Sequence, residues 1–217
     1  MDIKKYVIDY IEGRVQPEDF NQRCETDPRI FEWIQTIIPE NKTYPYHIEQ
    51  YMEDGKMKTQ VTYEHFQIEK VYKIYMNSPG RTRLAKNLNL HGLIYRLVKS
   101  AFPNENLSYD ETLGNRFDYL LDVRPTYIGG EKADALIEKI IEENPKTSKK
   151  SIKELIKKEF HIEGNKYPRW AQEPEWPFSD TGKPMKYISQ KRINSEVIEL
   201  TFEDVDTGER KTVTDIF

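Results

Sequence analysis

Apolar residues recur at helical spacing over most of the first 160 positions of the chain. The clearest case is residues 131–143, where alanine, leucine and isoleucine fall at i, i+3, i+4, i+7 and i+8, the pattern of a helix with one buried face. Similar stripes, bounded by capping residues, glycine or proline, predict further helices. These are expected at residues 2–12, from Pro17 past Phe20, from Pro28 to Pro39, at residues 64–76, at residues 81–102 with a turn at Asn87–Gly92, at residues 113–121 and from Ser148 through Phe160.

The pattern changes near residue 164. Six glycines and prolines fall between residues 164 and 184, which excludes a helix there. The segments that follow alternate and are rich in β-branched residues, which favours strands. Three strands are expected, at Met185–Ile193, Val197–Phe202 and Lys211–Ile216, with a turn at Asp206–Gly208 between the last two.

Together these elements predict an α+β protein with a mainly helical body. The body is expected at residues 1–163, and residues 164–217 are expected to form a Pro/Trp-rich buckle and a three-stranded antiparallel meander. Because so small a sheet is marginal alone, we expect it to pack on the helices. Asp54-Gly55, between Tyr46–Met52 and Met57–Tyr63, predicts an additional hairpin or loop.

Composition narrows the class of protein. The chain has 217 residues, 37% of them hydrophobic, and no apolar run near the ~20 residues of a membrane-spanning helix. Charged residues interrupt the first 13 positions, so a signal peptide is not expected. Cys24 is the single cysteine, and a lone thiol fits a reducing compartment. These features predict a cytoplasmic protein without a membrane partner, and a structural role for Cys24.

Charge is distributed unevenly within a net charge of -4. Residues 1–69 hold 8 basic and 14 acidic residues, whereas residues 70–104 hold 7 basic residues and no acidic one. The basic stretch either folds against the acidic part or binds nucleic acid. Its apolar pattern resembles a helix-turn-helix over residues 81–99, although Asn89 and Gly92 depart from that pattern. The residues that would contact nucleic acid are Arg81, Arg83, Lys86, Arg96 and Lys99.

The sequence contains no pattern that predicts a catalytic residue, a metal site or a cofactor. The four histidines have no partner at metal-ligand spacing, and the phosphate-binding and serine-nucleophile motifs do not occur. Glu173 and Glu175 lie close in sequence to Trp170 and Trp176, and burial beside indole would raise a carboxyl pKa. This leaves two interpretations of the segment, a rigid buckle over the sheet or the acids of an uncharacterised enzyme.

Two motifs carry a resemblance to a known class. In the first, a helix ends at Tyr10, Ile11 and Gly13, and a second helix begins at Pro17, Glu18, Asp19 and Phe20. The second motif consists of Pro168, Trp170, Gln172, Trp176, Pro177, Gly182, Lys183, Pro184, Met185 and Gln190. Together they resemble motifs of uncharacterised bacterial cytosolic proteins and of the immunity proteins of polymorphic toxin systems.

The resemblance implies a non-enzymatic bacterial binding protein that neutralises a cognate toxin by steric and electrostatic capture. A charge-patterned surface suits fast and specific capture of a charged partner. The alternatives are a DNA-binding protein that uses residues 81–99 and an uncharacterised enzyme. The partner-binding candidates are Trp170, Gln172, Glu173, Glu175, Trp176, Lys183 and Gln190.

Overall fold

The computed structural model describes residues 1–53 and 56–216. Within these residues the chain forms eight helices and five strands, which confirms the predicted α+β class. None of the described helices is long and apolar enough to cross a membrane. In chain order the elements are α1 (Ile3–Ile11), α2 (Pro17–Thr26), α3 (Arg29–Thr36), β1 (Thr43–Glu53), β2 (Lys56–His65), α4 (Ile68–Met76), α5 (Arg83–Ala101), α6 (Thr112–Val123), α7 (Glu131–Glu143), α8 (Lys149–Glu159), β3 (Lys186–Arg192), β4 (Val197–Glu203) and β5 (Arg210–Ile216).

The backbone contacts group the chain into two compact units. The first unit comprises Met1–Ser78 and Lys86–Leu113, and the second comprises Pro79–Ala85 and Gly114–Phe217. Each unit has a separate cluster of buried apolar side chains. The three-stranded sheet shares the second cluster with α6, α7 and α8. The division proposed from sequence, after residue 163, stays a prediction about domain organisation.

The first unit is built on α1, whose ends are set by local chemistry. The Asp2 carboxylate accepts a hydrogen bond from the Lys5 amide and caps the helix start. Past the other end, Gly13 has φ +76, a conformation that favours glycine. His91 Nε2 lies 3.3 Å from Tyr10 O and 3.0 Å from Ile11 O. Because both partners are carbonyl oxygens, Nε2 carries the proton and donates it to the last turn of α1.

Helix α5 corrects the predicted turn at Asn87–Gly92, because Arg83–Ala101 is one continuous helix. Asn87 is 3% exposed, and its Oδ1 accepts a hydrogen bond from Asn21 Nδ2 at 2.8 Å. This buried pair holds Asn87 inside the helix. Glycine in a helix costs about 1 kcal/mol relative to alanine, and burial of Leu90, Ile94 and Val98 on either side outweighs that cost at Gly92.

The second unit confirms the predicted C-terminal meander. The strands lie in the order β3-β4-β5 with antiparallel pairing throughout. Ile198, Leu200 and Phe202 alternate along β4 and are buried, so one face of the sheet covers the second cluster. Between β4 and β5, the Asp204 carboxylate accepts hydrogen bonds from Asp206 N and Thr207 Oγ1, which forms the predicted turn.

The remaining strands, β1 and β2, pair with each other as an antiparallel hairpin in the first unit. They contain the two segments that the sequence predicted on either side of Asp54-Gly55; those two residues lie outside the described residues. The register runs from Thr43 opposite His65 to Glu53 opposite Lys56, with one irregularity between Pro45 and His47.

Candidate functional site

The β1–β2 hairpin presents one apolar face to solvent. Residues directly opposite in an antiparallel pair lie on the same face, and alternate residues along a strand share a face. Met52 is opposite Met57, and Val61 and Tyr63 follow Met57 at even spacing. Met52, Met57 and Tyr63 are 62%, 65% and 62% exposed, and Val61 is half-buried. Gln50 and Thr59 are opposite each other on the same side and are exposed and polar. We call the four apolar residues the apolar face.

The other side of the hairpin is polar and is also exposed. Tyr51 is opposite Lys58, and Lys56, Gln60 and Thr62 lie on the same side of β2. A two-stranded sheet is marginally stable by itself, and large exposed apolar side chains grouped together are typical of interaction surfaces. Among the described residues, no further strand joins this sheet. The apolar face is therefore the strongest candidate for a binding surface.

The base of the hairpin is anchored in the first unit by a glutamine. Gln35 on α3 donates from Nε2 to Phe66 O at 3.0 Å, and its Oε1 accepts from Ile68 N at 3.1 Å. Both bonds hold the backbone that joins β2 to α4. The Tyr44 ring packs edge-on against Phe66 at 5.9 Å between ring centroids. The ribbon thus projects from a fixed base, which pre-organises its surface for a partner.

The two tryptophans among the sequence-predicted partner-binding residues are held inside the second unit. Trp176 is 3% exposed, and its Nε1 donates to Met185 O at 2.9 Å. Its ring packs edge-on against Phe160 and Phe202, at 5.4 and 5.2 Å between centroids. Trp170 is half-buried and donates from Nε1 to Tyr127 O at 3.0 Å. These contacts match the buckle interpretation of the segment.

Two polar members of the same set also have partners within the unit. Gln190 Oε1 accepts hydrogen bonds from Arg169 N and Tyr187 Oη, at 2.9 and 3.2 Å. Lys183 forms an ion pair with Asp206 at 2.6 Å. Lys183 and Gln190 are nevertheless exposed, as are Gln172, Glu173 and Glu175.

Glu175 and Trp176 line a cleft of about 480 Å³ that also includes Lys132, Phe178 and Lys211.

Sequence reasoning missed Asp215 on β5, which is 8% exposed and whose Oδ2 accepts backbone hydrogen bonds from residues 171 and 172. The signal that could have found it is its period-2 position after Val213. Partner binding by this segment stays a prediction.

The predicted nucleic-acid residues are not arranged as in a helix-turn-helix, because α5 is a single helix. At 3.6 residues per turn, Arg83 and Lys86 lie roughly 140° around the helix from Arg96 and Lys99, so they do not form one stripe. Lys99 donates to Pro103 O and Glu105 O. Arg81 precedes the helix and is exposed. The two-helix geometry of this alternative is wrong, and DNA binding by these residues stays untested.

Chemistry at the lone thiol agrees with its predicted structural role. Cys24 is 4% exposed, and burial, with a smaller effect of Glu25, raises the pKa of its thiol to about 12. A thiol with that pKa is protonated at neutral pH and is a poor nucleophile. Among the described residues, no three His, Cys, Asp or Glu side chains are grouped to hold a metal ion.

Comparisons of this chain with protein-family models, with curated proteins and with solved structures find no match.

Proposed function

We propose that this is a non-enzymatic bacterial binding protein of the immunity type, which captures a cognate toxin in the cytoplasm and blocks it. The observation that carries the binding function is the apolar face of the hairpin. Methionine and aromatic residues are enriched in protein interfaces. Met52, Met57 and Tyr63 are each more than 60% exposed on a ribbon with a fixed base.

Electrostatics supports capture of a partner that carries positive charge. The first 69 residues contain 14 acidic and 8 basic residues and include the whole hairpin. A net negative segment accelerates encounter with a cationic surface and disfavours anionic competitors. In the proposal, charge guides the encounter, and burial of the apolar face stabilises the complex.

The first experiment is affinity capture from the native cell with a matched pair of variants. The test variant is Met52→Ser/Met57→Ser/Tyr63→Ser, which removes the apolar face. The control variant is Leu121→Ser/Leu155→Ser/Ile193→Ser, which removes three exposed apolar side chains from the second unit. A partner that uses the hairpin binds the wild type and the control, and its affinity for the test variant falls by about ten-fold or more.

The second experiment asks whether capture is neutralisation. The captured protein is expressed alone and together with the wild type or the test variant. The proposal expects growth arrest alone, rescue by the wild type and no rescue by the test variant. Rescue by both the wild type and the test variant would show that the apolar face is not the toxin-binding surface. A captured protein that does not arrest growth would exclude an immunity function. If capture is lost after nuclease treatment, the DNA-binding alternative replaces the proposal.

A further inference from the structure

We infer that the outer edge of β2 is a homodimer interface, at which β2 pairs antiparallel with β2 of a second copy around a two-fold axis at Gln60. The product is a four-stranded sheet. The inner edge of β2 pairs with β1, and its outer edge has no strand partner among the described residues.

The outer edge of β2 lacks three devices that commonly protect an edge strand, namely proline, a bulge and short length. Its charged residues, Lys56, Lys58 and Glu64, lie near the strand ends and leave the centre, Thr59–Tyr63, uncharged. On β1, Pro45 lies at the one irregularity of the register, so the edge of that strand is irregular near its start. By contrast, β2 has ten residues, Lys56–His65, without proline, glycine or an irregularity on its own strand. Of the two free edges, β2 therefore has the regular one.

The pairing rules leave few registers for two identical edges. Along one edge, alternate residues direct their N–H and C=O groups outward. In an antiparallel ladder, two directly opposite residues form either a hydrogen-bonded pair, in which both N–H and C=O groups face the partner strand, or a non-hydrogen-bonded pair, in which both face away. For two copies of β2, opposite residues must therefore both have even numbers or both have odd numbers. The two-fold axis must pass through a residue, and the central choices are Thr59, Gln60 and Val61.

The axis at Gln60 makes the strand complementary to itself. Lys56 is then opposite Glu64 of the second copy, so that opposite charges meet at both ends of the ladder. Met57 is opposite Tyr63, the other strongly exposed apolar residue of β2, and Thr59 is opposite Val61. Cross-strand pairs of opposite charge and of aromatic with apolar residues stabilise a sheet.

Axes at Thr59 and Val61 bring less complementary residues opposite each other. An axis at Thr59 sets Lys56 against Thr62 and leaves Glu64 beyond the ladder. An axis at Val61 also gives two charge pairs, Lys58 with Glu64 in each direction, but sets Met57 against His65. Charge pairing therefore disfavours Thr59, and the Met57–Tyr63 pair favours Gln60 over Val61.

The dimer has a consequence for the surface of the hairpin. Directly opposite residues share a face, so the apolar face of one copy continues into that of the other across the new ladder. Four strands also form a more stable sheet than the two-stranded ribbon. The inference does not depend on the proposed capture of a toxin, because it concerns the strand edge.

The test uses single cysteines on the polar side of β2 in the full chain, with a short thiol-specific crosslinker. Gln60→Cys places two thiols opposite each other at the axis, with Cβ atoms about 5 Å apart. Thr62→Cys is the matched control on the same face, and its two thiols are displaced by four residues, about 13 Å. Wild-type protein, with only the buried Cys24, measures the background. Val61→Cys tests the neighbouring axis.

We expect dimeric mass in sedimentation equilibrium within the range of about 1 µM to 1 mM, and crosslinking of Gln60→Cys well above Thr62→Cys. Lys56→Glu is expected to weaken the dimer by about two-fold or more, and Lys56→Glu/Glu64→Lys to recover part of the loss. A monomer over the whole range, or equal crosslinking at residues 60 and 62, would overturn the inference. Crosslinking at Val61→Cys alone would overturn the assigned axis. A dimer that captures no toxin would reject the proposed function and leave this interface intact.

Discussion

Replacing Trp176 with alanine is expected to destabilise the second unit by about 3–5 kcal/mol, the range for truncation of a large buried aromatic side chain. The magnitude follows from its surroundings. The indole is 3% exposed and packs edge-on against Phe160 and Phe202. The change also removes the hydrogen bond to Met185 O, which leaves a carbonyl unpaired. If Trp176 were instead a surface hot spot, stability would barely change and partner affinity would fall.

A second substitution separates the ring from the hydrogen bond. Trp176→Phe keeps an aromatic ring but cannot donate, so we expect a smaller loss than for alanine, including about 1–3 kcal/mol for the unpaired carbonyl. Glu175→Ala is the control, because Glu175 is exposed beside it and exposed substitutions stay within about 0.5 kcal/mol.

The assay is urea unfolding followed by fluorescence of Trp170, together with amide hydrogen exchange of Leu200 and Phe202 on β4. Trp170 lies in the same unit and remains in every variant. Trp33 lies in the first unit, so all variants carry Trp33→Phe and the emission then reports the second unit. A loss below about 1 kcal/mol for Trp176→Ala, with an unchanged denaturant slope, would refute the buckle argument.

Three further predictions concern the first unit. Burial lowers the pKa of His91, so the unfolded chain binds the proton more readily than the folded protein. The free energy of unfolding should therefore fall as the pH drops below about 6.5, the ordinary pKa of histidine, and should fall less steeply in His91→Gln. Equal slopes of the free energy of unfolding against pH in the two proteins would contradict this. Iodoacetamide at pH 8 should label Cys24 only after the protein unfolds, since the thiol is buried in the folded state. Labelling of the folded protein at the rate of a free thiol would show that Cys24 is exposed. Gln35→Ala removes the hydrogen bonds to Phe66 O and from Ile68 N. It should speed hydrogen exchange at Ile68, whose amide loses its acceptor, and unchanged exchange there would show that Gln35 does not anchor the hairpin.

The candidate site was only partly predictable from the sequence. Asp54-Gly55 indicated a hairpin or loop, and the paired strands on either side match the predicted segments. The even spacing of Met57, Val61 and Tyr63 is visible in the sequence and could have indicated an apolar face. The alternation of apolar and polar residues does not show whether another element packs on the apolar face, because that element can be distant in the chain. Exposure of this face is a tertiary property.

Local chemistry in the sequence determined most of the elements. Asp2 and Ser148, the first residues of two predicted helices, cap α1 and α8, and the apolar stripe of residues 131–143 coincides with α7. The alternation after residue 184 coincides with β3, β4 and β5. These signals are reliable because caps and periodicity act within a few residues of backbone.

Tertiary structure decided the features that depend on distant partners. Asn87 stays inside α5 because Asn21, 66 positions earlier, pairs with it in the core, and burial of Leu90, Ile94 and Val98 keeps the helix continuous through Gly92. Trp170 is oriented by a carbonyl 43 positions away, so its motif alone could not distinguish a buckle from a binding site. Where a residue's partner is near in sequence, its role can be inferred from the pattern. Where the partner is remote, the free energy of burial and hydrogen bonding overrides the local preference, and only the folded chain shows the outcome.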